Sequence, residues 1–169
     1  MSTSATFTCP VGHLGSSLDG TVVLPGDQRF DSARRAWNLA VDQRPAAVIF
    51  PESATAVADA IGYAARCGLR VAAQGTGHNA GPLGPLTDTV LLRTDRMRGI
   101  RIDPVARTAR VEAGVVWLDV VQAAAQHGLA ALAGSSPDVG VTGYTLGGGL
   151  SFLGRKYGQA ASNVFKCST

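Results

Sequence analysis

The chain has 169 residues, a length that suits one ordinary domain, and its composition excludes several classes of protein. Hydrophobic residues make up 46% and charged residues 16% of the chain, so a core can form and general disorder is excluded. Fifteen basic and twelve acidic residues leave a formal charge of +3, a mild excess that favours a phosphate-bearing ligand. Because the arginines are scattered and only 6% of residues are aromatic, no nucleic-acid partner is expected.

The three cysteines, Cys9, Cys67 and Cys167, are odd in number and widely separated, without a C-x-x-C pair. We therefore expect neither a disulfide framework nor a zinc site, and we interpret all three as buried or incidental thiols in a reducing compartment. The first residues lack the basic start and apolar stretch of a signal peptide, and no later run is long enough to span a bilayer. These features predict a cytoplasmic protein without membrane contact.

Residues 1–41 are predicted to be a lead-in segment that is flexible at first and then extended over residues 21–24. A short helix is predicted to follow, with a cap at Asp31 or Ser32 and alanines at helical spacing, until an Arg-Pro pair ends the pattern. Trp37 lies on the apolar side of this pattern and is interpreted as a core anchor.

A βαβ unit is predicted next, from a buried strand at 46–50, a helix and a second strand at 69–73. Ser53 is predicted to cap the helix, which ends near Gly68. Its apolar stripe consists of Val57, Ala60, Ile61 and Ala64. A glycine-rich loop then emerges from the carboxyl end of the second strand, where open α/β sheets commonly hold ligands.

The second half of the chain is predicted to contain an antiparallel sheet and a helix. The candidate strands are residues 89–92, 100–102 and 109–113, the last two joined by an Asp-Pro turn. Trp117 begins a stretch of helical periodicity that ends before Gly128, and residues 129–133 are predicted to form a short strand. The fold class is therefore α+β, with a small βαβ subdomain followed by a mixed or antiparallel sheet with helices, and residues 42–169 form this domain.

Two glycine-rich loops are the most informative features of the chain. They are Gln74-Gly75-Thr76-Gly77-His78-Asn79-Ala80-Gly81 and Gly143-Tyr144-Thr145-Leu146-Gly147-Gly148-Gly149. Glycine lets a backbone take positive φ and approach a ligand closely, so its N–H groups can point at a phosphate. Together the loops predict a cofactor cradle with one reactive imidazole, that of His78.

The first loop also matches the dinucleotide fingerprint G-x-G-x-x-A and follows a strand. That fingerprint must open a helix whose N-terminus faces the pyrophosphate, but Pro82 and Pro85 would interrupt any helix here. We therefore reject a Rossmann site. Because no Walker lysine follows either loop, nucleotide hydrolysis is rejected as well.

This arrangement resembles the PCMH-type FAD-binding domain of the vanillyl-alcohol oxidase and p-cresol methylhydroxylase superfamily, and more narrowly the berberine-bridge-enzyme-like FAD-linked oxidases. The resemblance runs from about Val23 to Val164. It depends on Arg44-Pro45-Ala46-Ala47-Val48, on residues 71–81, on Val111-Glu112-Ala113-Gly114 followed by Trp117, and on residues 139–158. It implies that FAD is the cofactor and that the two glycine loops hold its diphosphate and flank its flavin.

The resemblance also implies a set of cofactor-binding residues and assigns no catalytic or metal-binding residue. The set is Gln74, Gly75, Thr76, Gly77, His78, Asn79, Ser136, Val139, Gly140, Gly143, Tyr144, Gly147, Gly148, Gly149 and Val164, with Asn163 beside the adenosine end. In the family, the histidine that matches His78 is often bonded to the 8α-methyl carbon of the flavin. Ser136 stands where some relatives have a second attached cysteine, so at most a single attachment is predicted.

Other interpretations of these residues stay open at this point. His78 could only hydrogen-bond a loop carbonyl, and Tyr144 could be a packed aromatic with its hydroxyl in water rather than a flavin contact. Asp138 could cap a turn. Arg155 and Lys156 could neutralise phosphate or be solvated charges.

The chain departs from the family in length, since relatives continue into the rest of the flavin domain and a substrate-binding domain. We therefore expect the FAD-binding portion of an FAD-linked oxidoreductase that oxidises an alcohol, sugar or similar carbon by hydride transfer to a histidyl-linked flavin. The substrate of the full-length relative would be a small molecule, and this chain alone would be incomplete for turnover. The alternatives are a catalytically inactive flavin-binding fragment and, from another class, a basic interaction protein. The sequence does not predict the oligomeric state.

Overall fold

The computed structural model describes residues 20–167, which divide into two compact units. The first unit contains the described residues up to Ala73 together with Ala80–Leu92. The second contains Gln74–Asn79 and the described residues from Arg93 onward. Residues 74–79 of the first glycine loop therefore belong to the same unit as the whole of the second loop.

The first unit is built on a four-stranded sheet in the order β1-β2-β4-β3. Its strands are β1 (Gly20–Val23), β2 (Ala47–Pro51), β3 (Arg70–Gln74) and β4 (Thr89–Arg93). β1 is antiparallel to β2, and β2 is parallel to β4 with Val48 opposite Leu91. Val48, Ile49 and Leu91 are fully buried, which explains why these strands are continuous apolar runs in the sequence.

Helix α2 (Ala54–Arg66) packs on the sheet and links β2 to β3, as the predicted βαβ order requires. The Ser53 side chain accepts a hydrogen bond of 3.1 Å from the Ala56 N–H, which confirms the predicted cap. Ala60 and Ala64 lie one turn apart and pack beside Ile49 in the core. The stripe was wrong at Ile61, which is 47% exposed because the alanine row faces the sheet instead.

The helix predicted within the lead-in is a single turn, α1 (Phe30–Ala33). The guanidinium of Arg34 bonds the Asp31 and Asp42 carboxylates and the Gln43 carbonyl, and this network takes the chain out of the helical path. Ala36 occupies the buried position, and Trp37 is 57% exposed. The prediction of Trp37 as a core anchor is therefore wrong.

In the second unit, the predicted hairpin is confirmed. Strands β5 (Ile100–Asp103) and β6 (Thr108–Val111) pair antiparallel, with Ile100 opposite Val111. The Asp103 carboxylate accepts the N–H groups of Val105 and Ala106 and so closes the turn. Helix α3 (Trp117–Ala125) then packs into a core around Val115, Trp117, Val120 and Val141.

Two predictions in the region that follows α3 are wrong. Residues 129–133 form no strand; Ala131 and Ala133 instead pack against the core around Trp117. The second glycine segment is not all loop, because residues 143–146 belong to helix α4 (Val141–Leu146). Only Gly147, Gly148 and Gly149 remain irregular before the short helix α5 (Gly154–Tyr157). The α+β class itself is confirmed.

The interpretation of the cysteines needs correction. Cys67 is disulfide-bonded, so the prediction of a free thiol is wrong for this residue. Cys167 is an exposed free thiol, which agrees with an incidental cysteine and not with a buried one. Cys9 and the flexible part of the predicted lead-in lie outside the described residues. Within residues 20–167, no helix has the length and apolar character to span a membrane, and no three acidic, histidine or cysteine side chains are grouped to hold a metal.

Candidate cofactor site

The first glycine loop lies beside residues 138–140, which lead directly into the second glycine segment, and both belong to the second unit. A Cβ atom added to Gly140 would lie 3.9 Å from the backbone nitrogen and the side chain of Thr76. The Nε2 atom of His78 lies 3.6 Å from Oδ1 of Asp138. The first loop and the residues that lead into the second segment therefore line one site, as the sequence predicts.

The first loop packs against the Val-Glu-Ala-Gly motif, residues 111–114, which lies more than thirty residues further along the chain. A Cβ atom added to Gly75 would lie 3.7 Å from the Ala113 carbonyl oxygen. The Thr94 hydroxyl donates to the same carbonyl at 3.1 Å. Gly114 approaches Thr94 so closely that a Cβ atom would lie 1.9 Å from the Thr94 carbonyl oxygen. The Val-Glu-Ala-Gly motif of the sequence thus supports the loop, and its glycine is required by close backbone approach.

The second segment is fixed at both ends by backbone hydrogen bonds. Before α4, the Trp117 N–H donates to Val139 at 3.0 Å and the Val141 N–H donates to Val115 at 2.9 Å. After α4, the Ala160 N–H donates to the Gly149 carbonyl at 2.8 Å. Gly148 and Gly149 have φ of +103° and +69°, values that favour glycine. Bonds across the segment therefore hold the glycine turn in place.

The His78 ring is held between a hydroxyl and a carboxylate. Its Nδ1 atom lies 2.8 Å from Oγ1 of Thr76, and its Nε2 atom faces Asp138. The His78 side chain is 21% exposed and that of Asp138 52%. The prediction of a simple turn cap at Asp138 missed this approach, because no spacing rule relates a loop residue to an imidazole so far away in the sequence.

Tyr144 packs edge-on against Trp117, with ring centroids 5.3 Å apart and an interplanar angle of 82°. Its hydroxyl is buried, so the alternative of a hydroxyl in water is wrong. Burial raises the pKa of the Tyr144 phenol above its usual value. Within the described chain, neither this hydroxyl nor the Trp117 indole N–H has a hydrogen-bond partner.

Gln74 is a third polar side chain left without partners. The residue is 4% exposed, and both its amide nitrogen and its amide oxygen lack a hydrogen bond to any described residue. Buried polar groups without partners cost about 1–3 kcal/mol each, so they mark places where a ligand or water completes the structure.

Backbone donors of the first loop and of residues 139–140 also lack partners among the described residues. The N–H groups of Gly75, Thr76, Gly77, Val139 and Gly140 donate to no other group of residues 20–167. A diphosphate carries the anionic oxygens that such donors bind, and a diphosphate can approach them because glycine supplies no Cβ. The residues present therefore fit a phosphate-containing cofactor.

The remaining predicted site residues lie around this cradle. Ser136 is exposed and lines a shallow pocket of about 140 Å³ beside Trp117 and Leu118. Asn79 is exposed at the end of the first loop. Gly143 lies within α4, and Val164 follows a 3-10 turn, Ala160–Asn163, that is hydrogen-bonded to the glycine turn. What each of these residues contacts in the presence of a cofactor stays a prediction.

An α+β domain with a glycine-lined cradle for phosphate and an imidazole beside it has the features of a flavin nucleotide-binding domain. A family model described as FAD binding domain matches residues 45–168, and the chain belongs to this family. FAD is therefore its cofactor, and the predictions of FAD and of a PCMH-type domain are confirmed.

The relatives are FAD-linked oxidoreductases. The chain is 36% identical over 148 residues to (R)-6-hydroxynicotine oxidase of Paenarthrobacter nicotinovorans, which covers 88% of this chain and 32% of that protein. The solved structure of Physcomitrella patens BBE-like 1 is 28% identical with a TM-score of 0.81, covering 89% of this chain and 33% of that one. Wild-type Phl p 4.0202, a glucose dehydrogenase, is 28% identical with a TM-score of 0.79, covering 91% and 34%.

The chain spans about a third of the length of the curated relatives it matches. The matched part corresponds to the FAD-binding domain of these FAD-linked oxidoreductases. This coverage agrees with the expectation from the sequence that only part of the relatives' fold is present.

Proposed function

We propose that the chain is the FAD-binding part of an oxidase that removes a hydride from an alcohol, sugar or similar carbon of a small molecule. The observation that carries this proposal is the adjacency of the two glycine segments, which aligns unpaired N–H groups beside a partly buried imidazole. Relatives named as a hydroxynicotine oxidase and a glucose dehydrogenase support oxidation of a small molecule.

Different residues of the cradle would bind different parts of FAD. The backbone N–H groups of Gly75, Thr76 and Gly77 would bind the diphosphate, and the buried Gln74 amide would gain the partners it lacks. Tyr144 would lie near the isoalloxazine and Val164 near the adenosine end. When bound, FAD supplies the hydride acceptor, while the protein positions it and excludes water.

His78 would also hold the cofactor covalently. A neutral imidazole nitrogen is a nucleophile near neutral pH, and the small neighbours of His78 allow close approach. Attachment would replace one imidazole N–H bond and one flavin methyl C–H bond by one N–C bond. Dioxygen would take up the two hydrogens and their electrons as hydrogen peroxide, which would leave the flavin oxidised.

Acid precipitation of the purified chain loaded with FAD tests this proposal. We expect the yellow colour to stay with the precipitate for the wild type and to be lost for His78→Ala. His127→Ala is the matched control and should behave as the wild type, because His127 lies at the exposed end of α3. Colour that leaves the wild-type precipitate would reject covalent attachment, and a chain that binds no FAD at all would reject the proposed function.

A catalytically inactive flavin-binding fragment is the second candidate function. It is favoured by the large apolar side chains exposed on residues 146–165, among them Phe152 at 81% and Phe165 at 89% exposure. Together with the one-third coverage of the relatives, this surface suggests that other parts of a complete oxidase normally pack here. FAD binding without consumption of oxygen in the presence of alcohols or sugars would identify this candidate; steady turnover would exclude it.

A further inference from the structure

Three side chains of the site lie in a row, and their order has a chemical meaning. The Thr76 hydroxyl contacts Nδ1 of His78 at 2.8 Å, and the Asp138 carboxylate lies 3.6 Å from Nε2 on the other side of the ring. A neutral imidazole has one donor nitrogen and one acceptor nitrogen. A carboxylate only accepts, whereas a threonine hydroxyl can donate or accept. The arrangement therefore favours the tautomer with the proton on Nε2.

We propose that Asp138 is a positioning residue for His78, and that it accepts the Nε2 proton when Nδ1 becomes bonded to the flavin. The role of Asp138 in attachment rests on the proposed function; the tautomer that it imposes does not. In this tautomer, Nδ1 keeps its lone pair and accepts a hydrogen bond from Thr76, a hydroxyl that can rotate away when the nitrogen reacts.

The covalent step balances with these groups in place. Nδ1 forms the N–C bond to the flavin methyl carbon, which loses one proton to solvent. The Nε2 proton passes to the Asp138 carboxylate, so no positive charge remains on the substituted ring. Two electrons and the two protons combine with dioxygen to give hydrogen peroxide. The half-exposed Asp138 carboxylate can return its proton to water.

Other nucleophilic sites use a comparable arrangement, in which a general base activates the nucleophile and a third group holds that base in position. Proton transfer to a positioned side chain typically contributes about 10²- to 10⁴-fold to a rate. Because Asp138 is half exposed and lies at 3.6 Å, beyond a short hydrogen bond, we expect an effect at the low end of that range.

Nitrogen-15 NMR of the chain without FAD tests the tautomer directly. We expect the His78 ring to carry its proton on Nε2 in the wild type, and to shift toward the Nδ1-protonated form in Asp138→Asn. Asp59→Asn is the charge-matched control, because Asp59 is exposed on α2, which belongs to the first unit. An unchanged tautomer in Asp138→Asn, or an Nδ1-bound proton in the wild type, would overturn the proposal.

The rate of covalent attachment after FAD is added tests the role of Asp138 in that step. We expect Asp138→Asn to slow attachment by about 100-fold at saturating FAD, and Asp138→Glu to restore most of the rate. Because Asp138→Glu keeps the carboxylate, it tests the role even where Asp138→Asn fails to fold. An Asp138→Asn rate equal to that of the wild type would refute the role in attachment. If the wild type attaches no FAD, the proposed function fails, and the NMR result still decides the tautomer.

Discussion

Gln74, Trp117 and Tyr144 each carry a buried polar atom without a hydrogen-bond partner in the described chain. All three belong to the second unit, which also contains both glycine segments. Folded proteins pair nearly all buried polar atoms, so each such atom calls for an explanation. Gln43 and Thr89 of the first unit carry two further ones. At the scale of single residues, these atoms indicate which side chains can gain a hydrogen bond from a ligand. Variants at these positions can therefore change FAD affinity without lowering the stability of the FAD-free chain.

Tyr144→Phe should slightly stabilise the FAD-free chain. The variant removes a buried hydroxyl that bonds no described residue, and it keeps the edge-on ring contact with Trp117. We expect the free energy of unfolding in urea to rise by about 1 kcal/mol, the lower end of the cost of a buried polar group without a partner. If the hydroxyl gains a partner from FAD, noncovalent affinity should fall by about fivefold, measured by flavin fluorescence. A large loss of stability without FAD would show that the hydroxyl has a partner in the protein.

Tyr144 should also affect stability at alkaline pH. Burial raises the pKa of its phenol above the ordinary value of 10.0, so the folded chain keeps this proton at a pH where the unfolded chain loses it. The resulting contribution is complete below the unfolded pKa and is lost as pH rises through the folded pKa. We therefore expect the stability of the wild type, relative to Tyr144→Phe, to decline above about pH 10 in urea titrations. Parallel curves for the two proteins across this range would contradict the effect of burial.

Among secondary structure elements, those with strong periodicity or clear turn chemistry could be predicted from the sequence. Helix α2 has a serine cap and an apolar stripe, and the β5–β6 hairpin has alternation and an aspartate turn. Residues 129–133 and the helix around Trp37 were predicted wrongly, because tertiary contacts decide short apolar runs: alanines of the first pack against Trp117, and the Arg34 network redirects the second.

In the candidate site, too, local features could be predicted from the sequence and tertiary contacts could not. Glycine composition and a neighbouring histidine indicate a cradle without any knowledge of the fold, because glycine permits close backbone approach. The approach of Asp138 to His78 is a tertiary contact between two loops, and no local pattern in the sequence reports it. The close backbone contact of Gly114 with Thr94 is also a tertiary contact that no local pattern reports.

Gly114→Ala should be one of the most destabilising single substitutions in the second unit. The new methyl group would lie 1.9 Å from a backbone carbonyl oxygen, which cannot turn away as a flexible side chain could. We expect a loss of about 3 kcal/mol or failure to fold, measured by urea unfolding or by the soluble yield. Gly62→Ala in α2 is the matched control, where the nearest atom is the end of an arginine side chain at 3.5 Å. Equal stability of the two variants would contradict this close approach.

Gly143→Ala should separate folding from cofactor binding within α4. A Cβ atom at this position meets nothing within 4 Å, so the substitution should stabilise the FAD-free chain by about 0.5–1 kcal/mol through helix propensity. If FAD approaches the backbone here, the methyl group should weaken noncovalent binding by about tenfold. Unchanged FAD affinity in a titration would place the cofactor away from this turn of α4.

For the behaviour of the whole chain in solution, the most important feature is the exposed apolar side chains of residues 146–165. Leu146, Leu150, Phe152 and Phe165 all present large exposed side chains there. Large apolar side chains exposed together in one segment often mark a place where other protein packs. The relatives are about three times as long as the chain, and we expect additional protein of that kind to cover this segment.

Phe152→Ser should reduce self-association of the isolated chain, because it removes one of the most exposed apolar side chains of residues 146–165. We expect a smaller weight-average mass in sedimentation and weaker binding of a hydrophobic dye, with unfolding unchanged. Val105→Ser is the control, since Val105 is 93% exposed but lies alone in the hairpin turn. Equal effects of the two substitutions would mean that general surface polarity, rather than this patch, governs association.

The path of the chain between the two units has a practical consequence. The backbone leaves the first unit after Ala73, contributes Gln74–Asn79 to the second, returns at Ala80 and crosses again after Leu92. No single cleavage can therefore divide the protein into two self-sufficient halves. An expression product that begins at Arg93 would lack the hexapeptide that carries the imidazole, and a protease nick within that hexapeptide would leave the crossing after Leu92 as a covalent link between the units.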